Sequence, residues 1–386
     1  MRILIVGVST RAIAESAVRG GHQVVTVDYF GDRDQRSLVE NYSLKRDFNL
    51  SFSAHGLLEA SRCLEFSSVV YISNLENNPE VVAELARKSC LLGNASSVLR
   101  QVRDWRRLRQ FCDEEGIPFA ITLLPGEEQK AVPEFRWLRK PVRSGGGHNI
   151  RFWAGEPLDE AHVLQRYIEG RSASVAFVAD GKRSVVIGLS EQLIGMAELG
   201  ARGFVWCGNL LPLRLDPRTT STFLEIVENM VARLTCRFEL RGVNGLDLVI
   251  AHDADGRPRP LLVEVNPRYT ASMELVESAY RLNVFSLHLG AMAGQLPEFS
   301  LARHSDGPFI SKGVVFARRT STVPEAMGGV EQGRRDIPFP GDRIMAGRPV
   351  CTVLAEGNGR ESCLDNLLAS ARAVRDEIGD QQGDPP

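Results

Sequence analysis

The sequence predicts a mixed fold, α/β at its amino end and α+β beyond it, on three observations. The chain opens as strand, helix, strand; its middle carries alternating apolar segments joined by short turns; and 386 residues, 43% hydrophobic and 24% charged, exceed what one core needs, which implies two or three domains.

The opening run RILIVG at 2–7 ends in Gly, a helical pattern follows around 12–20, and a second run, QVVTVD, covers 23–28. That order begins a parallel sheet. A third run, SVVYIS at 68–73, leads into Asn74, Glu76, Asn77, Asn78 and Pro79, a loop at the carboxyl end of a strand, and a helix is expected over 79–89. Open α/β sheets bind ligands at such loops, so Glu76 and the Ser9-Thr10-Arg11 loop are candidate substrate contacts, although the same residue types also cap helices and make turns. The first loop reads GVSTRA and lacks the G-x-G-x-x-G spacing that admits a pyrophosphate. Asp28, placed where a dinucleotide fold puts its ribose carboxylate, is then left without the phosphate half of that site.

From 96 to 116 a charged stretch with Leu99, Val102, Leu108 and Phe111 on one face reads as helix, stopped by Gly116-Ile117-Pro118. WLRKPV at 137–142 reads as a strand, 145–147 as a Gly-rich turn, and AHVLQRYIEG at 161–170 as helix running into a hinge. Alternation at 173–179 and 184–190 around Asp180-Gly181 predicts an antiparallel pair. After a helix near 220–235 come GLDLVIA at 245–251 and PLLVEVN at 260–266; short strands at 311–317 and 349–355, a helix at 361–378 and a disordered tail from 379 complete the chain.

Lys plus Arg total 46 against 48 Asp plus Glu, leaving no basic excess for a nucleic-acid backbone. Seven scattered cysteines without a C-x-x-C pair argue against a disulfide framework or a structural zinc site. The short amino-terminal apolar run is no secretory signal and no stretch reaches membrane-spanning length, so a cytoplasmic protein without a membrane partner is expected.

Three features carry chemistry. In KPVRSGGGHN, Lys140 precedes Ser144 and Gly145, Gly146 and Gly147; a glycine run lets backbone N–H groups close over phosphate oxygens while the ammonium supplies charge, though an ordinary hairpin has the same composition. LQRYIEG at 164–170 suits a linker whose extended backbone pairs with an adenine edge. In GLDLVI and LLVEVNPR, period-2 alternation puts Glu264 and Asn266 on one side of a strand, and a neighbouring strand can bring Asp247 beside them. Two carboxylates and an amide oxygen are the hard ligands Mg²⁺ takes, and Arg268 lies two residues on, able to hold a phosphoryl or carboxylate group.

In this order the residues resemble the ATP-grasp superfamily, with E-V-N-P-R the most specific element. The resemblance implies an N-terminal half-Rossmann (pre-ATP-grasp) domain at 1–95, an ATP-grasp domain at 96–295 with lobes at about 96–170 and 171–295, and a small C-terminal α+β extension at 296–378. It implies ATP and two Mg²⁺, with Mn²⁺ able to substitute, as cofactors. Lys140 would contact the α/β-phosphates, Ser144 and Gly145–Gly147 would form a flexible lid, and Gln165, Tyr167, Ile168 and Glu169 would frame the nucleoside. Asp247, Glu264 and Asn266 would bind metal, and Arg268 with Lys140 would be catalytic. The chain departs from the pattern ahead of G-I-P, where only Arg103, Arg106 or Arg107 could replace a phosphate-binding Lys, just after the hinge, where Ser172 and Ser174 stand in place of a carboxylate, and at Gly245, where some ligases have Arg. Further motifs, LSEQLIG (189–195), FVWCGNLLP (204–212) and NPRYTASMELVE (266–277), look most like the predicted ATP-dependent carboligases, a group similar to the tyramine–glutamate ligase of methanofuran biosynthesis. That implies a carboxylate–amine ligase working through an acyl phosphate, with small-molecule acid and amine as partners and a homodimer as candidate assembly. The alternatives are a carboxylase or phosphotransferase on the same scaffold, or a protein that senses ATP without turnover. His148, in the lid, could orient phosphate or substrate, or simply face solvent.

Overall fold

A computed structural model describes residues 2–304 and 307–380. The first region alternates β1 (Ile3–Val6), α1 (Arg11–Arg19), β2 (Val24–Asp28), α2 (Arg33–Leu38), β3 (Glu40–Ser43), α3 (Ala54–Ser61), β4 (Ser68–Tyr71), α4 (Pro79–Lys88) and β5 (Cys90–Leu91). Its strands form a parallel sheet in the order β3-β2-β1-β4-β5. Helices cover both faces of such a sheet, which is why β1 and β4 are apolar runs buried along their whole length.

Two helices then replace the single one expected over 96–116: α5 (Ser96–Val102) and α6 (Trp105–Glu115). The break has a local cause. The Asp104 carboxylate accepts hydrogen bonds from the N–H groups of Arg106 (2.9 Å) and Arg107 (3.2 Å), so it caps a new helix rather than continuing the old one. A small antiparallel sheet follows, in the order β6-β9-β7-β8, built from β6 (Thr122–Leu123), β7 (Trp137–Pro141), β8 (Arg151–Phe152) and β9 (His162–Arg166). The segment 161–170 is therefore a strand and loop, not the expected helix and hinge. Val163 packs with Trp105 and Leu124 while Leu164 packs with Leu123 and Trp137, so consecutive residues are both buried and the period-2 signature of a strand disappears.

The remaining strands form one antiparallel sheet in the order β14-β13-β10-β11-β12-β15-β19-β17. It contains β10 (Arg171–Asp180), β11 (Ser184–Ile194), β12 (Trp206–Leu211), β13 (Arg241–His252), β14 (Pro258–Asn266), β15 (Phe309–Phe316), β17 (Arg334–Arg335) and β19 (Pro349–Gly357). A two-stranded ribbon, β16 (Ser321–Thr322) with β18 (Arg343–Ile344), lies outside it. Alternation along β10 divides its side chains between two cores. Ala173, Val175 and Phe177 join α6 and α7 (Pro217–Phe238) on one face, and Ala176 and Val178 join α8 (Met273–Tyr280), α9 (Val284–Met292) and the α1 side of the parallel domain on the other. The segment after 296 adds β15, β17 and β19 to this same sheet under α10 (Arg360–Glu377), whose Leu367, Ala371 and Val374 face Val315 and Val353. Of the expected tail, Asp380 is buried and accepts the N–H groups of Arg318 and Arg319, while 381–386 lie outside the described residues.

Candidate active site

The carboxyl-end loops of the parallel sheet, the small sheet and the large sheet meet around a cleft of about 930 Å³. Its charged floor comes from two paired strands. Asp247 on β13 stands directly opposite Glu264 on β14, and Gly245 opposite Asn266, so the pairing brings the three expected metal ligands onto one patch. The Asn266 amide donates to Asp247 (3.1 Å), and the Gln192 amide of β11 donates to the other Asp247 oxygen (2.9 Å). Burial, then the Glu264 charge, pushes the Asp247 carboxyl up to about 6. Burial also opposes ionisation of Glu264, but Arg103 and Lys140 outweigh it and hold that carboxyl below its usual range.

Lys140, 5% exposed, donates to Gln165 Oε1 at 2.9 Å and lies 5.2 Å from the Trp105 ring. Gln165 is fixed in turn by donation to Thr122 (3.1 Å) and to the Val263 carbonyl (3.3 Å), so it orients the ammonium from below rather than standing free. Burial lowers the Lys140 pKa, opposed by the charges of Glu264 and Asp247. The glycine turn is folded onto the loop before β12. Gly146 O accepts the Trp206 N–H at 2.9 Å, and at Gly147 (φ +73°) a Cβ would stand 1.8 Å from the Phe204 carbonyl, which only glycine permits. Ser144 bonds the His148 carbonyl (3.2 Å), and the His148 side chain is exposed at the tip. Tyr167 meets Phe152 and Phe204 edge-on at 5.4 and 6.2 Å, an aromatic wall beside Ile168, which also lines the cleft. Glu169 is exposed and outside the lining, whereas Ser172 and Ser174 are within it.

Arg268 is held by Glu76, with Nε 2.8 Å from the carboxylate, and reaches Asn266 Oδ1 at 3.2 Å. Glu76, 1% exposed, is thus the anchor of Arg268 rather than a free substrate contact. Arg11 departs from expectation likewise: it is buried in ion pairs with Glu274 and Asp336. Thr10 donates to Asp28 (2.8 Å), leaving Ser9 as the member of that loop with a role still open in the cleft.

Two residues, Trp105 and Gln192, escaped the sequence reading, and Arg103, expected there as one of three stand-ins for a phosphate-binding Lys, has a role that reading did not give it. Arg103, at the helix break, donates to Asn77 (2.8 Å), to the Val265 carbonyl (3.1 Å) and to Glu264, which ties the first domain to the floor; its neighbours Arg106 and Arg107 are exposed outside the cleft. Trp105 walls the Lys140 side. Gln192 had a visible signal, a polar amide within the apolar strand LSEQLIG on the same face as Ser190.

The donor set suits a divalent cation. Two carboxylates and an amide oxygen stand on adjacent strands, and burial together with the facing Glu264 charge makes ionised Asp247 costly, a cost a bound cation would relieve. Among the described residues no helix is long and apolar enough to cross a membrane.

Residues 110–272 match the profile of the ATP-grasp domain. The chain is 22% identical to the uncharacterized protein MJ0776 of Methanocaldococcus jannaschii over 93% of this chain and 89% of that one. Its fold is similar to the biotin carboxylase domain of Hydrogenobacter thermophilus 2-oxoglutarate carboxylase, a structure holding MgADP and bicarbonate (TM-score 0.71, 14% identity, 94% of this chain and 88% of that). It is similar to an L-amino acid ligase from Bacillus licheniformis (0.66, 15%, 98% of each) and to N5-carboxyaminoimidazole ribonucleotide synthetase from Thermotoga maritima (0.65, 15%, 96% and 98%). The chain carries an ATP-grasp domain, in a mixed α/β and α+β fold.

Proposed function

From an ATP-grasp domain that spans the whole floor of the cleft, we propose that this protein is an ATP-dependent carboxylate–amine ligase. The observation that carries the reading is the juxtaposition of Asp247, Glu264 and Asn266 with Arg268 and Lys140 in one cleft. A substrate carboxylate oxygen attacks the γ-phosphorus of ATP, the bond to the β,γ-bridging oxygen breaks, and ADP leaves. The amine then attacks the acyl carbon of the acyl phosphate, releasing phosphate and a proton and leaving an amide. Such chemistry asks for positioning and charge neutralisation rather than a protein nucleophile.

Asp247, Glu264 and Asn266 would hold Mg²⁺, which supplies charge neutralisation at the phosphate oxygens. Lys140, oriented by Gln165, takes the α/β-phosphates; the Gly145–Gly147 turn covers them; the Tyr167 and Ile168 side of the cleft takes the base. Arg268, clamped by Glu76, is aimed by that clamp at the transferring group. Glutamate is the acid, and an aromatic amine or a glutamyl chain the acceptor, in keeping with the resemblance to the tyramine–glutamate ligase group and with the role in one-carbon cofactor biosynthesis that it suggests. A cytoplasmic location and homodimer belong to the same reading. The similarity in fold to biotin carboxylase supports carboxylation as the second reading.

The test is ADP release from Mg·ATP with L-glutamate, with and without tyramine, tyrosine or glutamyl peptides, followed by mass detection of product. Amine-dependent release with an amide product is expected. Release that requires bicarbonate and ignores every amine would transfer the assignment to a carboxylase.

A further inference from the structure

One edge of the cleft, distant in sequence from the metal strands, is lined by the loop after β2, and one residue there lacks what every neighbour has. Four acids gather at this edge. Asp28 accepts from Thr10 (2.8 Å) and the Gly31 N–H (2.9 Å); Asp34 accepts from the N–H groups of Asp336 and Ile337 (2.9 Å each); Asp336 is bound by Arg11 and Thr352 (2.6 Å to the latter). Asp32, 7% exposed and lining the cleft, has a side chain with no hydrogen bond or ion pair among the described residues. It occupies the N-cap position of α2, yet its carboxylate accepts nothing from that helix.

A carboxylate so buried is costly unless something pairs with it. Arg11, the cation whose charge acts on it most, is already committed to Glu274 and Asp336. Beside Asp32 the cleft wall is aromatic: Tyr29 meets Phe30 at 5.1 Å and Phe52 at 6.0 Å, both edge-on, and all three rings line the same space. Burial, followed by the charges of Asp336, Asp28 and Asp34, pushes the Asp32 carboxyl well above its usual range, with Arg11 opposing. A cation brought in by a ligand would reverse that penalty.

We propose that Asp32, with the Tyr29, Phe30 and Phe52 wall, is the subsite for an ammonium group carried on an apolar or aromatic body by one of the two substrates. The carboxylate supplies a charge-assisted hydrogen bond and the ring faces add attraction for the cation. This rests on the reading that the cleft takes an amine or amino-acid substrate. The ammonium belongs either to the acceptor or to the activated amino acid, and the two sources are separable.

The experiment compares calorimetric binding of 2-phenylethylamine with that of its neutral counterpart 2-phenylethanol to the full chain. Wild type should prefer the amine by at least about tenfold. Asp32→Asn and Asp32→Ser should each remove that preference by weakening the amine alone, with denaturant midpoints no lower than wild type. A preference retained in both variants, or no binding of the amine to wild type, overturns the subsite. Competition in the ADP-release assay then identifies the source: 2-phenylethylamine competing against the acceptor marks the acceptor's ammonium, and competing against the amino acid marks the other. An Asp32-dependent preference without amide formation would remove the ligase and keep the subsite. Amide formation with an unchanged KM in Asp32→Asn would keep the ligase and remove the subsite.

Discussion

Two groups of buried charge border the same cleft, and they are balanced differently. Around Arg11 two acids are answered within the protein: Glu274 by Arg11, through two nitrogens, and by Lys312, and Asp336 by Arg11. Burial alone would raise the Glu274 carboxyl, but Arg11 and Lys312 hold it far below its usual range. Around Asp247 the balance is left open. Asp247 and Glu264 stand opposite each other, Arg103 is spent on Glu264, and among the described residues Asp247 accepts side-chain hydrogen bonds from the neutral amides of Asn266 and Gln192 while the Arg268 and Lys140 charges act on it without an ion pair. The first group joins the parallel domain to the large sheet. The second has unsatisfied acceptor capacity facing a cleft, the condition for binding a cation rather than for holding a fold.

The largest break in this comparison comes from chemistry at the open group. Glu264→Gln and Asp247→Asn should each lower ADP release by about 10²–10³-fold with the circular dichroism spectrum unchanged; activity within twofold of wild type would refute the metal assignment. At the closed group the loss should instead be one of stability. Arg11→Ala takes the guanidinium from Asp336 and leaves Glu274 with Lys312 alone, and should cost about 3–5 kcal/mol by denaturant unfolding, and Arg11→Lys should recover little because a point charge cannot reproduce the fork.

Stability against pH sharpens the contrast. The folded-state pKa of Asp247 is raised, to about 6, so its ionised form costs stability as pH rises through the interval from the unfolded value to 6. Asp247→Asn should therefore raise the unfolding free energy at pH 8 by up to about 3 kcal/mol, seen as a higher denaturant midpoint, and have no such effect at pH 4, where the wild-type carboxyl is protonated in the folded state. A midpoint lowered equally at both pH values would show that Asp247 is structural. Glu274 has the opposite sign: its depressed pKa gives stability that persists above the usual carboxylate range and is lost only in strong acid. The smallest effect expected is at Gln192, whose removal in Gln192→Leu takes one donor from Asp247 and should weaken apparent Mg²⁺ affinity about tenfold, read by Mg²⁺ titration of ADP release.

How much of this was visible in the amino-acid order follows the physics of each segment. The Asp247 and Glu264 strands were legible because they alternate, are joined by a short turn-rich segment and interrupt apolar runs with acids. Lys140 and the glycine turn were legible as composition. The segment 161–170 was misread because a strand buried on both faces has no period, and the helix over 96–116 because a cap at Asp104 looks like any acid in a charged helix. Arg11 and Glu76 were placed on the right loops but given the wrong partners, since Glu274 and Arg268 lie 263 and 192 residues away.

By itself, the sequence determined the local periodicities, the turn at Asp180-Gly181, the place of the glycines and the metal-type ligand set on one strand pair, because each depends on neighbours a few residues apart. Only the tertiary structure decided which buried charges are answered and which are not. Arg11, Arg103 and Glu76 are equally plausible contacts when read along the chain, and Asp32 gives no signal there. Those three have partners supplied from more than 150 residues away, and the Asp32 side chain has none among the described residues. Electrostatic satisfaction depends on distance in space, and chain order does not encode it.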